Sequence, residues 1–333
     1  VGLAARSGVV RATRNEMNLE QYLAGGDANL LVIAPHPDDE SLGAGGLIQR
    51  ARAHGARVAV AFVTDGDNNP WPQRVLERRV LIGAKQRERW GLRRREEARR
   101  ALQALAAQDV EVRRLGWPDG GVTWKLVDDT VAAVSALRAL LAEFDPGLLV
   151  LPDLSDRHPD HSALHVLLEL ALRGMPPQRR PQCLCYLLHG RRRRCEPQRI
   201  ALELTPQEQA RKRAAILAHA SQTALSRRRL LRFAGASEEY ALGVGNHDLS
   251  GPRLPWLPPR WLRPWMRLLI VDARGGQRLK LGGGGAGDAL QWRDGSLAVR
   301  LPRQPSTPHY VKLYASFPSP WVFDRWGWRR FVA

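Results

Sequence analysis

Residues 30–40 read LLVIAPHPDDE, and no other stretch of this 333-residue chain says as much about its architecture. The five apolar residues 30–34 have the length and aliphatic content of a strand that is buried on both faces. His36, Asp38 and Asp39 follow directly, so an imidazole and two carboxylates come at the end of that strand. Open α/β sheets carry their functional groups at the carboxyl ends of parallel strands. The stretch therefore predicts an α/β fold with a functional site after its first strand.

A second cluster of the same residue types follows another apolar run. Residues 156–161 read DRHPDH and come shortly after the run 148–151. His158 and His161 are three residues apart and so lie on one side of a turn or first helical turn. Two strand-end clusters rich in histidine and aspartate predict one shared metal site.

The rest of the chain supports a Rossmann-like, mostly parallel sheet flanked by helices, because short apolar runs alternate with longer amphipathic segments. The expected strands are 30–34, 58–64, 110–115 and 148–151, and the expected helices are 42–54, 93–107, 131–143, 162–173 and 207–220. Residues 67–92 are polar and rich in arginine, and we expect a long loop there that shapes substrate access.

The composition changes after Gly251, where proline-rich turns and short β-like runs predict a small β-rich C-terminal appendix. We therefore expect an N-terminal arm (1–27), a main domain (28–250) and a C-terminal region (251–333). The tryptophans of the C-terminal region could form a glycan-stacking surface, a membrane-interface belt or, as we expect for most of them, a small core; they are Trp256, Trp261, Trp265, Trp321, Trp326 and Trp328.

The composition restricts the class of protein. Lys and Arg number 51 against 33 Asp and Glu, a net charge of +18 that would attract nucleic acid, anionic lipid or a polyanionic glycan. The excess of arginine over lysine is equally consistent with the coding bias of a GC-rich genome. No apolar stretch approaches the roughly 20 residues that span a bilayer, and we find no signal peptide. We expect a cytoplasmic protein, either free or peripheral at a membrane surface. The three cysteines, among them Cys195, fit neither a zinc knuckle nor a disulfide scaffold.

The two clusters contain what a catalytic zinc site requires: three protein ligands, an open position for water and a nearby base. His36, Asp39 and His161 could supply the ligands, which leaves Asp38 free as the base. Adjacent carboxylates in a tight turn point in different directions, so one can bind metal while the other faces substrate.

The remaining residues of the second cluster have supporting roles in this hypothesis. His158 would face the open position, where a cationic imidazole could stabilise an oxyanion or protonate a leaving amine. Asp160, or Asp156, could hold one of the imidazole rings in its tautomer from the outer shell of the site.

The chain resembles the PIG-L/LmbE superfamily of zinc-dependent N-deacetylases over about residues 28–225. The resemblance depends on motifs that occur here in the family's order: 36–40 (HPDDE), 45–46 (GG), 64–66 (TDG), Arg94 with Glu97, 115–120 (LGWPDG), 158–161 (HPDH) and 218–222 (AHASQ). It implies that His36, Asp39 and His161 are the zinc ligands, that Asp38 is the general base and that His158 is the oxyanion-stabilising or acid group.

The resemblance also implies an activity. The expected enzyme removes an acetyl group from an N-acetylglucosamine-type conjugate by attack of a zinc-bound water, on a substrate that could be anionic or lipid-linked. Iron(II) could occupy the same ligand set. The alternatives are hydrolysis of another amide-linked substrate, such as an N-acyl glycoside, antibiotic or lipid-linked sugar, a basic nucleic-acid-binding protein, and an inactive relative. The oligomeric state is left open.

Arg94 and Asp65 each have two interpretations. Arg94 could grip a substrate hydroxyl or phosphate with its guanidinium group, or form a surface ion pair with Glu96 or Glu97. Asp65 could bind a sugar hydroxyl, or only close the Thr-Asp-Gly turn. Four further residues are expected to have structural rather than catalytic roles: Glu40, Asp119, His189 and His219.

Overall fold

The computed structural model of the chain describes residues 19–25, 29–107, 109–190, 199–243, 248–249, 253–281, 290–293, 296–299, 308–316 and 323–331. Most of the expected N-terminal arm, together with Cys195 and Trp321, lies outside these residues.

A seven-stranded sheet forms the centre of the molecule. Its strands are β1 (Leu30–Ala34), β2 (Val58–Thr64), β3 (Glu111–Trp117), β4 (Leu148–Pro152), β5 (Gln182–Tyr186), β6 (Arg199–Glu203) and β7 (Ser237–Leu242). They lie in the order β3-β2-β1-β4-β5-β7-β6. The first five strands are parallel, and β7 and β6 extend the sheet with antiparallel pairings. Every residue of β1 and β4 is buried, as expected for strands covered on both faces. The Rossmann-like, mostly parallel sheet is confirmed.

The register of the central strands decides where the two histidine clusters meet. Leu30 of β1 pairs with Val58 of β2 on one side and with Leu148 of β4 on the other. From β1 the chain adds β2 and then β3 on one side of the sheet. It then returns to the other side of β1 and adds β4 and β5 there. A crevice opens at the carboxyl ends of two strands where the strand order reverses in this way. The loops that follow β1 and β4 are neighbours at that crevice.

Nine helices surround the sheet in the described part of the chain. They are α1 (Leu19–Ala24), α2 (Asp39–Ala53), α3 (Pro70–Glu77), α4 (Ala84–Ala104), α5 (Val122–Asp128), α6 (Thr130–Phe144), α7 (Pro159–Arg173), α8 (Pro206–Ala218) and α9 (Ala220–Leu231). None of them combines the length and the apolarity that crossing a bilayer requires.

The expectation of a loop over residues 67–92 is wrong, because α3 and the first turns of α4 occupy most of it. Pro70 stands at the first position of α3, where its missing N–H would have had no helical partner and its fixed φ favours the helix. Arg78 ends α3 in the left-handed region, with φ 51°. A proline that looks like a loop signal here begins a helix.

The C-terminal region forms two small sheets, so the expected β-rich appendix is confirmed. Its strands are β8 (Asp248–Leu249), β9 (Met266–Asp272), β10 (Gly275–Lys280), β11 (Leu290–Arg293), β12 (Ser296–Val299), β13 (His309–Ala315) and β14 (Arg329–Phe331). Five of them form a sheet in the order β10-β9-β13-β14-β8, and β11 pairs with β12.

One hydrophobic core joins the C-terminal sheet to the main sheet. Leu269, Val271, Tyr310 and Trp328 pack in the same cluster as the apolar faces of α5, α6 and α7. The division near residue 250 stays a prediction from composition. Of the C-terminal tryptophans, Trp256 and Trp328 are buried, whereas Trp261 and Trp265 are exposed.

Candidate metal and catalytic site

The three expected metal ligands converge where the loops after β1 and β4 meet. Nδ1 of His36 and Nε2 of His161 each lie 3.2 Å from Oδ2 of Asp39, and the two nitrogens are 3.4 Å apart. All three side chains are buried. Asp39 begins α2 and His161 lies in the first turn of α7, so both come from helix N-termini, whose positive dipole ends favour a carboxylate.

The spacing and charge of this group fit a divalent metal ion. Tetrahedral coordination with bonds of about 2.0–2.1 Å places neighbouring ligand atoms about 3.3 Å apart, which matches the separations of these three atoms. Burial alone would lower the pKa of His161, but the carboxylates of Asp39 and Asp156 raise it to about 10. The pocket therefore favours a positive charge at this point. Two imidazoles and one carboxylate are a donor set that suits Zn²⁺, and also iron(II).

Carboxylates lie behind both ligating rings. Nε2 of His36 is 3.3 Å from Oδ2 of Asp160 and 3.2 Å from Oδ1 of Asp119. Nδ1 of His161 is 3.2 Å from Oδ2 of Asp156. Each ring thus has a carboxylate at its outer nitrogen and directs the other nitrogen to the shared point, which is the usual arrangement of metal-binding histidines. The structure places Asp160 and Asp156 behind different rings, where the sequence had left them as alternatives.

Asp160 also fixes the loop between β3 and α5. Its Oδ2 accepts the backbone N–H of Gly120 at 2.7 Å and its Oδ1 accepts that of Val122 at 3.1 Å. Asp119 lies in the same loop and accepts the backbone N–H of Asn68 at 2.7 Å. Three segments that are distant in sequence are therefore held around His36.

Asp38 projects away from the ligand set. Its φ of 139° lies in a region that residues with a side chain rarely adopt, and such a conformation costs on the order of 1–3 kcal/mol. Nη2 of Arg94 donates to Oδ1 of Asp38 at 3.2 Å. Burial raises the pKa of Asp38 to about 6, against the opposing effect of Arg94. The strained backbone lets two adjacent carboxylates face different groups, as the tight turn predicts.

His158 stands beside the ligands with a defined tautomer. Its ring centroid lies 4.7 Å from that of His36 and 4.9 Å from that of His161. Nδ1 of His158 accepts the backbone N–H of Asp160 at 3.3 Å, so the ring proton belongs on Nε2. Burial, reinforced by the positive charge of His36, lowers the pKa of His158 well below its usual value. The lowered pKa favours the neutral ring, whose Nε2–H is a hydrogen-bond donor, over the cation that the sequence analysis expects.

Arg94 is an internal side chain. It is 3% exposed, and its guanidinium group donates to the backbone carbonyls of Gly66 at 2.8 Å and of Pro37, besides Asp38. The surface ion pair that was its alternative role is not what the described structure shows. Glu96 pairs with Arg99 and Arg100, and Glu97 pairs with Arg93.

Asp65 lies in a different place from the ligand set. Its Oδ1 accepts from Nε of Arg95 at 2.7 Å, and it lines a cleft of about 550 Å³ beside α4, together with Asp67 and Arg87. None of the residues lining that cleft belongs to the histidine cluster. Of the two expected substrate-binding residues, Arg94 contacts Asp38, whereas Asp65 pairs with Arg95 and Arg114.

The structure places three residues in or next to the site that sequence analysis had treated as structural. Oδ1 of Asp119 is 3.2 Å from Nε2 of His36, and the ring centroid of His189 is 5.1 Å from that of His161. His219 contacts Glu40, the residue after Asp39, with its Nε2 2.9 Å from Oε1 of Glu40. His189 follows β5, a strand that we did not predict. The rule that polar residues gather at the ends of parallel strands would have found it, once β5 was known.

Comparison with known proteins matches the same part of the chain. Residues 31–172 match the family described as PIG-L, GlcNAc-PI de-N-acetylase. The matched segment contains every expected metal ligand, and it confirms the resemblance stated from the motifs over this part of the chain.

Two relatives and one solved structure illustrate the similarity. The chain is 31% identical over 169 residues to 1D-myo-inositol 2-acetamido-2-deoxy-alpha-D-glucopyranoside deacetylase 1 of Saccharopolyspora erythraea, covering 44% of this chain and 54% of that protein. It is 29% identical over 157 residues to the probable N-acetyl-alpha-D-glucosaminyl L-malate deacetylase 2 of Bacillus cereus, covering 46% and 66%. It thus spans only part of the length of these relatives.

The solved structure of N,N'-diacetylchitobiose deacetylase from Pyrococcus horikoshii superposes with a TM-score of 0.50 at 19% identity, covering 68% of this chain and 90% of that one. At this identity the superposition shows a shared fold alone.

Proposed function

We propose that this PIG-L domain is a metal-dependent hydrolase that removes the acetyl group from the nitrogen of an N-acetylglucosamine-type conjugate. The observation that carries the proposal is the convergence of His36, Asp39 and His161, with their ligand atoms 3.2–3.4 Å apart, next to the unliganded carboxylate of Asp38. The activities named for the two relatives support the amino-sugar substrate and the acetyl group. Zinc is the proposed ion, with iron(II) as the alternative.

The proposed mechanism assigns each proton to a side chain. When bound, the ion would activate water and polarise the acyl carbonyl as a Lewis acid. Asp38 accepts the proton of the attacking water, because it is the carboxylate outside the ligand set. The Nε2–H of His158 donates to the carbonyl oxygen as negative charge develops there. Asp38 then returns its proton to the leaving amine.

The surrounding residues keep these groups in place. Arg94 orients the carboxylate of Asp38 and so contributes to turnover through Asp38. Asp160 and Asp156 hold the tautomers of His36 and His161. Asp65 would bind a substrate hydroxyl. Its side chain is 19% exposed, which leaves part of the carboxylate available for this contact.

We also propose that the substrate is anionic or lipid-linked and that the enzyme works at an anionic membrane surface. The turn after α3 exposes Val80 and Leu81 by 81% and 85%, and Trp71 of α3 is exposed by 57%. Arg78 and Arg79 precede these residues in the same turn. Apolar side chains flanked by cations are what peripheral proteins insert between anionic headgroups.

Metal analysis together with an acetate-release screen tests the function. The purified chain is expected to hold close to one equivalent of Zn²⁺ or Fe²⁺ and to release acetate from N-acetylglucosamine conjugates, including anionic and lipid-linked ones. Chelator-treated protein is the control and should lose both. Stoichiometric metal with release of a different acyl group would favour another amide substrate. Salt-dependent retention on DNA or RNA without metal would overturn the proposal in favour of the nucleic-acid alternative.

A further inference from the structure

A residue of the C-terminal region reaches the histidine cluster. The ring centroid of Phe323 lies 5.0 Å from that of His189 and 6.1 Å from that of His158. Phe323 is partly exposed. It lies outside residues 31–172, which match the PIG-L family.

Two hydrogen bonds fasten Asp324, the residue after Phe323, to the loop that carries His158. The N–H of Asp324 donates to the carbonyl of Arg157 at 2.7 Å, and Nε of Arg157 donates to the carbonyl of Asp324 at 3.2 Å. Because Arg157 immediately precedes His158, the position of Phe323 is coupled directly to that of the proposed oxyanion donor.

The carboxylate of Asp324 is held in turn by the C-terminal sheet. It pairs with the ammonium group of Lys312 on β13, and Lys312 is 1% exposed. The Lys312 ammonium group also lies 5.8 Å from the centroid of the Trp328 ring. A buried lysine is stable only when its charge is paired. The ion pair between Lys312 and Asp324 therefore fixes the segment that carries Phe323.

A second buried ion pair fastens the sheet to the helix that carries His161. Nη1 of Arg330 on β14 donates to Oε1 of Glu169 on α7, and the two side chains are 9% and 1% exposed. Together with the shared hydrophobic core, these contacts make the C-terminal sheet a fixed support. Phe323 therefore lies in a bend whose next residue, Asp324, is anchored both to β13 and to the loop that carries His158.

We propose that Phe323 is a specificity-determining residue that packs its ring against the apolar C–H face of the substrate's pyranose. This inference rests on the proposed function, since it assigns the sugar subsite of that same site. An aromatic side chain beside polar groups is a common wall of a small-molecule pocket, where it gives apolar contact and fixes orientation. The C-terminal sheet would thus select the substrate, while the parallel sheet supplies the chemistry.

Phe323→Leu tests the proposal because leucine keeps apolar bulk and removes the ring face. Trp326→Leu is the matched control, an aromatic residue three positions away that packs against the separate C-terminal core. Metal content and melting temperature of each variant come first. For Phe323→Leu we expect wild-type metal content and kcat/KM on an N-acetylglucosamine conjugate lowered about tenfold, chiefly through KM. N-acetylethanolamine, which has no ring, should be hydrolysed at nearly the wild-type rate.

Saturation-transfer NMR with N-acetylglucosamine provides a measurement that needs no turnover. Transfer to the ring protons of the sugar should be strong in the wild-type protein and in Trp326→Leu, and weak in Phe323→Leu. Equal kinetics and equal transfer in both leucine variants would overturn the role of Phe323, and so would the absence of sugar binding in the wild-type protein. Transfer that depends on Phe323 without any acetate release would refute the proposed function while leaving the sugar contact standing.

Discussion

The parallel sheet and the C-terminal sheet reach the same pocket by different means. The parallel sheet contributes buried, interconnected polar groups from loops at its strand ends, where histidines and aspartates satisfy one another. The C-terminal region contributes an aromatic side chain, Phe323, and two ion pairs that anchor this region to its surroundings. The first region can be recognised from short motifs, because its chemistry is local to two loops. The second can be recognised only from the structure, because Phe323 contacts His189 and Arg330 contacts Glu169 across more than 100 positions of sequence.

The largest effect should follow from removing a ligand on the parallel sheet's side. His161→Ala deletes one of the three converging donor atoms, so we expect metal content to fall to near zero and acetate release to be lost. Metal analysis of the purified variant is the measurement. His54→Ala, a partly exposed histidine, should keep both. Full metal retention in His161→Ala would place the ion elsewhere.

Asp38→Asn separates chemistry from metal binding. The amide cannot accept the proton of water, and general-base catalysis typically contributes about 10²–10⁴-fold, so kcat should fall by that range while metal content stays at the wild-type level. Turnover and metal are measured on the same preparation. Unchanged turnover would remove Asp38 from the mechanism.

Glu169→Gln weakens the attachment of the C-terminal sheet without touching the ligands. Glu169 and Arg330 are both buried, and breaking such a pair by removing one charge costs about 3–5 kcal/mol of unfolding free energy. Urea denaturation measures the change. Glu96→Gln, in an exposed ion pair with Arg99, is the matched control and should leave the midpoint unchanged. If both variants unfold alike, the sheet is not fastened through α7.

Asp160→Asn tests how far the site depends on groups behind the ligands. The change removes the carboxylate charge that faces Nε2 of His36. Metal affinity should fall by about 10–100-fold, and competition with a chelating dye measures it. Asp109→Asn, whose side chain is 72% exposed, serves as the control. An unchanged affinity would mean that Asp119 alone orients the ring.

The smallest effect concerns the turn after α3. Replacing Val80 and Leu81 together by serine should lower binding to anionic vesicles by about tenfold, because apolar area is lost from the interface. Co-sedimentation with anionic and with zwitterionic vesicles is the measurement. The same pair of changes at Val131 and Leu225, which are exposed on other helices, should have no effect. Identical losses in both double variants would refute a specific docking surface.

The sheet and the convergence of the two histidine clusters could be predicted because their signals are short. An apolar run such as β1 leads directly into His36, and the same pattern recurs at β4 and His158, so the topological rule for parallel sheets brings both loops together. The helices within residues 67–92 escape prediction because polarity and arginine content do not distinguish a loop from an exposed helix, although Pro70 stands where proline favours a helix start.

The outer part of the site could not be predicted because it depends on long-range contacts. His189 follows a strand whose residues, Cys183 to Tyr186, lack the β-branched content that marks a strand. Asp119 occupies a turn motif that is equally common without any function. Phe323 is preceded by no motif, and its position is decided by packing between β13, β14 and α7.

The conformation of Asp38 has a consequence for how this protein can change. Glycine would relieve the unfavourable φ at this position, but it would leave the buried guanidinium group of Arg94 without its carboxylate and would remove the proposed proton acceptor. We therefore expect a laboratory selection for thermal tolerance to keep an acidic residue at position 38, because the lost ion pair outweighs the relief of strain.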